Sequence, residues 1–279
     1  MLALWDNLLK RCCVYPSLLV AFSGGVDSTL MARAAKEAIN GPVFLVFCRT
    51  PLISVAEEEQ AKRVAGWLDL PFYAAKLDVL DLPEVAHNRR ERCYVCKRAL
   101  FSYLRQLAVR EGLAQVADGT HADDLRSANR PGGRACAKLQ IAQPLAEADL
   151  GKEQVRALAA WLDLPNQNQA ARPCLATRFP YDTLLTPELL LRVAQGEQVL
   201  QDIGCKEFRL RVHGDICRME AAPAERELIM AKSAQIEAAL MALGWRFVTL
   251  DLGGLKSGCF DKIEAGSGKL EAKKIRRQE

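Results

Sequence analysis

The sequence has no apolar run of the roughly 20 residues that a membrane-spanning helix needs. Its first residues carry no basic segment ahead of an apolar one, so we expect no secretory signal peptide. The net charge of +4 over 279 residues is too small to indicate a nucleic-acid partner. No basic segment studded with aromatic residues is typical of an RNA-binding module either. We therefore expect neither a membrane nor a nucleic acid as partner.

Cysteine, in contrast, occurs ten times. Without an export signal, this number indicates a reducing compartment, and we expect a cytoplasmic protein. Thiols in such proteins act as small core residues, metal ligands or nucleophiles more often than as disulfide partners.

Hydrophobic residues make up 50% of the chain, enough for one full α/β core and a second small domain. Apolar runs typical of buried strands alternate with helix patterns as far as residue 118. This alternation predicts a parallel sheet with helices on both faces, with ligands beyond the carboxyl ends of the strands. The predicted strands are 18–22, 43–47, 71–77 and 115–118, and the helices between them are 29–39, 54–68 and one ending near 110.

A glycine turn joins the first predicted strand to the helix that follows it. Its six residues are Ser23, Gly24, Gly25, Val26, Asp27 and Ser28. A strand, a glycine turn and a helix start place bare N–H groups where the helix dipole favours an anion. No lysine follows, so the turn is not a Walker loop. It resembles the PP-loop of the N-type ATP pyrophosphatases, and the alternative is a tight turn with a serine cap.

Two cysteine motifs stand out. Cys93 and Cys96 form a Cys-x-x-Cys pair, which is typical of a redox pair, half a zinc site or two ligands of an iron–sulfur cluster. Without a second such pair, a four-cysteine zinc ribbon is excluded. Cys174 lies between Arg172 and Arg178, which favour a thiolate and also suit a phosphate. Ordinary packing of these cysteines is the alternative.

Carboxylates follow the fourth predicted strand, in the segment Gly119-Thr-His-Ala-Asp123-Asp124. They suit a magnesium-bound nucleotide or a ribose hydroxyl, and the alternative is a helix N-cap. The basic segment 126–134 is predicted to be a loop.

The pattern changes after about residue 183. A predicted helix 187–203 precedes an alternating strand 208–213 that puts Arg209 and Arg211 on one face. A hairpin, a helix 224–243 and a strand 247–252 follow. We predict a small α+β domain over 184–261 after a first domain over 1–183, and a disordered tail over 262–279.

Taken together, residues 1–261 resemble the LarE family of ATP-dependent sulfur transferases, which help to build the nickel-pincer nucleotide. The resemblance depends on five segments in this order: 23–28, 92–97, 119–124, 173–178 and 209–215. One departure is the segment 254–259, which lacks the usual Tyr-Arg pair of the family.

The resemblance implies a PP-loop domain of the adenine nucleotide alpha hydrolase type, followed by a smaller domain that forms a homo-oligomer. A pyridinium mononucleotide carboxylate would attack ATP, with Mg²⁺ as cofactor, and pyrophosphate would leave into the turn at 23–28. The implied catalytic residues are Asp27, Lys97 and Cys174, and Gly119, Asp123 and Asp124 would join that turn in binding ATP. Substrate binding would fall to Arg178, Arg209 and Arg211.

The sulfur source has two versions. In the one that we favour, Cys93, Cys96 and Cys174 hold a [4Fe–4S] cluster with one open iron. In the other, Cys174 gives up its own sulfur and becomes dehydroalanine. The competing functions are a PP-loop tRNA thiolase, an amidating ligase, for which no glutaminase nucleophile is visible, and a non-catalytic ATP-binding thiol or metal protein.

Overall fold

The computed structural model describes residues 1–126, 131–256 and 260, with the side chains of 131 and 132 left aside. The predicted tail at 262–279 and the end of the segment 254–259 lie outside these residues. By its contacts the chain divides into two compact units, Met1–Cys174 and Leu175–Glu279. The division into 1–183 and 184–261, with a separate role for each part, stays a prediction.

The first unit is built on a parallel four-stranded sheet with the order β3-β2-β1-β4. Its apolar strand sequences and the helices between them were predicted, and the fold class is confirmed. The strands are β1 Leu18–Ala21, β2 Val43–Arg49, β3 Phe72–Lys76 and β4 Gln115–Ala117. The helices are α1 Leu2–Cys12, α2 Val26–Ala38, α3 Val55–Leu68, α4 Pro83–Ala86, α5 Arg92–Arg110, α6 Ala122–Arg126, α7 Pro131–Lys138, α8 Pro144–Glu147 and α9 Lys152–Trp161.

Alternate residues of the strands point to opposite faces of the sheet, so each face has its own apolar core. Leu18, Val20 and Leu45 pack with residues of α1, α2, α3 and α9. On the other face, Leu19 and Val46 pack with residues of α5 and α7. Helices therefore cover both faces.

Local signals explain several helix boundaries. The predicted capping box is present at the start of α3, where the Ser54 N–H donates to the Glu57 carboxylate at 3.0 Å. The loop predicted over 126–134 is wrong in part, because α7 begins at Pro131. Proline is well suited to the first turn of a helix, since its missing N–H has no helical partner there.

The second unit has a three-stranded sheet with the order β5-β6-β7, in which β5 and β6 are antiparallel and β6 and β7 parallel. Leu210, Cys217 and Trp245 are buried in this unit. The elements are α10 Pro187–Asp202, β5 Phe208–His213, β6 Ile216–Ala221, α11 Arg226–Ala231, α12 Ser233–Ala242 and β7 Phe247–Leu250.

Two predictions for this unit are corrected. The helix predicted over 224–243 is broken at Lys232, where φ is −108°. Ser233 begins the next helix, as expected of a side chain that competes with helical hydrogen bonds. The last strand ends at Leu250 because the Asp251 carboxylate accepts a hydrogen bond from the Gly253 N–H at 2.6 Å and forms a turn. None of the described helices is long and apolar enough to cross a membrane.

Candidate active site

The turn after β1 is held open for an anion. Gly24 has φ +71°, and a Cβ there would lie 2.6 Å from the Ala61 Cα, so only glycine fits. The N-cap of α2 is Gly25, which has no side chain, so a serine does not cap this helix. Ser23 and Ser28 hydrogen-bond to each other through their hydroxyls at 3.1 Å. The first N–H groups of α2 are thus left for a ligand.

Asn166 fixes the turn from a distant part of the chain. Its amide nitrogen donates to the Gly24 carbonyl at 2.8 Å and to the Thr29 hydroxyl at 2.9 Å, and the side chain is buried. Sequence reasoning missed this residue because an asparagine after Pro165 is typical of an ordinary turn.

The loop after β4 packs directly on the start of α2. A Cβ at Gly119 would lie 2.8 Å from the Ser28 nitrogen and 3.0 Å from the Asp27 carbonyl carbon, so a glycine is needed for this approach. Burial raises the pKa of Asp27; His121 opposes that shift and the Asp124 carboxylate adds to it. His121 Nε2 in turn lies 3.4 Å from Asp124 Oδ1. Asp27, His121 and Asp124 therefore form one electrostatic group.

The two adjacent carboxylates at the end of this loop have different surroundings. Asp124 lines a cavity beside the turn. Asp123 is half exposed and accepts a hydrogen bond from the Lys152 N–H at 2.7 Å, so it caps α9 rather than a helix of its own. That bond is the main reason why the pKa of Asp123 is lowered. The cap interpretation thus fits Asp123, and its role in ATP binding stays a prediction.

A cavity of about 420 Å³ brings together the three cysteines singled out in the sequence. Cys93 and Cys96 lie in the first turns of α5, not in a loop as expected, and their i,i+3 spacing places both on one face. Burial raises the pKa of the Cys96 thiol to about 12, and the neighbouring Cys174, Cys93 and Cys48 add to the shift. Among the described residues, no group of three His, Cys, Asp or Glu side chains is arranged to hold a metal ion.

Lys97 lines the same cavity, and buried groups hold its ammonium. The Nζ lies 3.4 Å from Asp118 Oδ2 and 3.9 Å from Cys136 Sγ. Burial alone would lower the pKa of Lys97, but Asp118 and Cys136 raise it above its ordinary value. Thr120 holds both oxygens of Asp118, through its N–H at 3.1 Å and its hydroxyl at 2.8 Å. Sequence reasoning gave no role to Asp118, Thr120 or Cys136.

The predicted substrate arginines belong to the second unit, where each has protein partners. Arg178 is 3% exposed and donates to both oxygens of Glu197, at 2.8 and 2.9 Å. Arg211 donates to Glu220 at 3.0 Å and to the Thr177 carbonyl at 2.7 Å. Arg209 shares one face of β5 with Arg211, as predicted, and is half-buried. Their roles in substrate binding stay predictions.

No family model matches the chain. It is 35% identical over 240 residues to the pyridinium-3,5-bisthiocarboxylic acid mononucleotide synthase of Lactiplantibacillus plantarum, covering 86% of this chain and 87% of that protein. It is 33% identical to an uncharacterized protein of Synechocystis, covering 88% and 92% of the two chains. It is also 28% identical to one of the proteins that make up the glutamine-hydrolyzing GMP synthase of Methanosphaerula palustris, covering 69% and 66%.

The parallel sheet, the uncapped glycine turn and the likeness to a GMP synthase define a PP-loop protein of the ATP pyrophosphatase class. Within that class, the extent of its identity to the Lactiplantibacillus synthase decides the family. The chain belongs to the LarE family of ATP-dependent sulfur transferases and is thus an enzyme.

Proposed function

We propose that this enzyme activates a carboxylate of a pyridinium mononucleotide with ATP and converts it to a thiocarboxylate. The observation that carries this proposal is that Cys93, Cys96, Cys174 and Lys97 line one cavity together with Asp124. A cavity of about 420 Å³ lies in the range of small-molecule sites. A relative that covers most of the chain is named for the corresponding product.

In the first half-reaction, the turn at 23–28 binds the phosphates that leave. A carboxylate oxygen of the substrate attacks the α-phosphorus of ATP, the bond to the β-phosphate oxygen breaks, and pyrophosphate and an acyl-adenylate form. The N–H groups of α2 and the Ser23 and Ser28 hydroxyls stabilise the departing charge. Asp27 and Asp124, close enough to influence each other, would hold Mg²⁺, which neutralises phosphate charge when bound.

In the second half-reaction, sulfur attacks the carbonyl carbon and AMP leaves. Lys97, held by Asp118, is placed to stabilise negative charge on the carbonyl oxygen. Arg209 and Arg211, on one face of β5, would bind the substrate phosphate, with Arg178 beside Thr177 as a further candidate.

For the sulfur source we propose a [4Fe–4S] cluster held by Cys93, Cys96 and Cys174. The three thiols fit such a group because they share one cavity, and a cubane spreads its ligands over several irons where a single ion draws them together. When bound, the cluster would supply an exchangeable sulfide at its open iron. In the sacrificial alternative, Cys174 attacks the acyl-adenylate, its Cα proton is removed, and the Cβ–S bond breaks to leave dehydroalanine and the thiocarboxylate.

The setting of the enzyme is also part of the proposal. The family resemblance supports a homo-oligomer, and ten cysteines suit the reducing cytoplasm.

Two variants separate the half-reactions. We expect Asp27→Ala to abolish pyrophosphate release, because the phosphates lose their nearest carboxylate. We expect Cys174→Ser to release pyrophosphate and form no thiocarboxylate. Anaerobic assays with ATP and pyridinium-3,5-biscarboxylic acid mononucleotide measure both products. Pyrophosphate release that needs tRNA instead would favour the tRNA thiolase, and no release under either condition would favour a non-catalytic protein.

A further inference from the structure

Three basic side chains surround one tyrosine on the outer side of α5 and α7. The Tyr94 ring centroid lies 5.7 Å from the Arg98 guanidinium, 5.4 Å from that of Arg134 and 5.6 Å from the Lys138 ammonium. Arg98 belongs to α5 and the other two cations to α7. We call these four residues the Tyr94 cluster.

The charges of this cluster are not compensated by protein carboxylates. In the part of the chain that the structure describes, no Asp or Glu forms a salt bridge with Arg98, Arg134 or Lys138. A tyrosine ring attracts each cation by about 0.5–1 kcal/mol at exposed sites, but the three like charges repel one another. An anion from outside the protein would relieve that repulsion.

The cluster borders the cavity that holds the three thiols. Tyr94 lies on α5 between Cys93 and Cys96, which both line the cavity. On α7, Arg134 directly follows Gly133, another lining residue. Tyr94 and Arg98, an i,i+4 pair, lie on a neighbouring stripe of α5 rather than in the cavity itself. An anion that meets the cluster is therefore beside the cavity and not yet inside it.

We propose that the Tyr94 cluster captures the anionic pyridinium mononucleotide and steers it into the thiol cavity. This inference rests on the proposed function. The ligand class is a small molecule with a phosphate and carboxylates, for which a patch of three uncompensated cations raises the association rate. ATP carries phosphates too, but its proposed site is the turn at 23–28, whereas the cluster adjoins the thiols where the carboxylate must arrive.

A steering surface gives a kinetic signature that a structural role does not. We replace Arg98, Arg134 and Lys138 by Gln in one protein. At an ionic strength of about 0.01 M, where the Debye length is about 30 Å, we expect kcat/KM for the mononucleotide to fall about tenfold. At about 1 M, where the Debye length is about 3 Å, the variant and the wild type should agree. The loss should lie in kcat/KM rather than kcat, and kcat/KM for ATP should be unchanged.

A matched control removes the same charge elsewhere. Lys10 and Lys62 lie on α1 and α3, on the opposite face of the sheet, and Arg105 lies about 16 Å along α5 from Tyr94. The protein with Lys10→Gln, Lys62→Gln and Arg105→Gln should keep the wild-type kcat/KM at low salt.

Three results overturn the inference. Equal losses in the cluster variant and the control would mean that only net charge matters. A loss in kcat/KM for ATP alone would assign the cluster to the other substrate. A cluster variant indistinguishable from the wild type at low salt, with turnover intact, refutes the capture surface and leaves the proposed function standing. If the wild type does not turn over the mononucleotide at all, the proposed function itself is wrong.

Discussion

Asp123 and Asp124 are adjacent, identical residues with different surroundings. Asp124 faces the cavity and belongs to the group with Asp27 and His121, whereas Asp123 caps α9. We expect Asp124→Ala to lower pyrophosphate release by about two orders of magnitude, as is usual when a group that organises the reacting phosphates is lost. The comparison is steady-state pyrophosphate release at saturating ATP.

The matched control is Asp123→Ala. It should keep pyrophosphate release near the wild-type rate and lower the melting temperature modestly, because α9 loses its cap. Equal losses of activity in the two variants would contradict this division of roles.

At the residue scale, the sequence indicates which residues carry chemistry but not which way each one points. Two neighbouring aspartates look alike in a sequence, and only the fold decides that one of them meets α9. Asn166 is the clearest omission, since the residues that it joins, itself and Gly24, are 142 positions apart. A contact of that range leaves no local pattern.

Among the elements, the junction of β1, α2 and the β4 loop decides whether ATP can bind. Gly119→Ala would place a Cβ 2.8 Å from a backbone nitrogen of α2, so the turn must shift. We expect a loss of roughly 1–3 kcal/mol in the free energy of unfolding, and a weaker affinity for ATP. Urea unfolding and ATP titration measure the two effects.

Gly66→Ala in α3 is the control for this substitution. No heavy atom lies within 4 Å of a Cβ placed there, so the helix should gain about 0.5–1 kcal/mol in stability with ATP affinity unchanged. A Gly119→Ala protein that binds ATP as tightly as Gly66→Ala would show that the close approach at α2 does not shape the phosphate site.

Elements with strong local patterns were predictable. The strand 208–213 was predicted with both of its ends, and the helix 187–203 within one residue of α10. The failures have local causes that a pattern hides: Pro131 begins a helix inside a basic segment, and Lys232 breaks a helix whose apolar residues continue on both sides. Backbone geometry decided both cases, not hydrophobicity.

At the scale of the whole molecule, the ordered set of motifs predicted the fold and the family. The cavity that collects Cys93, Cys96 and Cys174 depends on α5 packing beside the loops that end at Cys174, which no single motif encodes. Its contents distinguish the two sulfur sources. We expect protein purified without oxygen to be brown and to contain about four irons per chain. Cys93→Ala and Cys96→Ala proteins should lose the iron, whereas Cys13→Ala, at an exposed cysteine of the first unit, should keep it.

The most direct test of sulfur transfer is a stoichiometry. Iron-loaded protein is incubated anaerobically with ATP, sulfide and pyridinium-3,5-biscarboxylic acid mononucleotide, and AMP, pyrophosphate and thiocarboxylate are counted per chain. We expect equal amounts of all three, rising above one per chain, with the mass of Cys174 unchanged. Thiocarboxylate that stops at one per chain, with Cys174 lighter by one H₂S, would contradict the cluster as sulfur source. AMP and pyrophosphate formed without any thiocarboxylate would contradict sulfur transfer to this substrate.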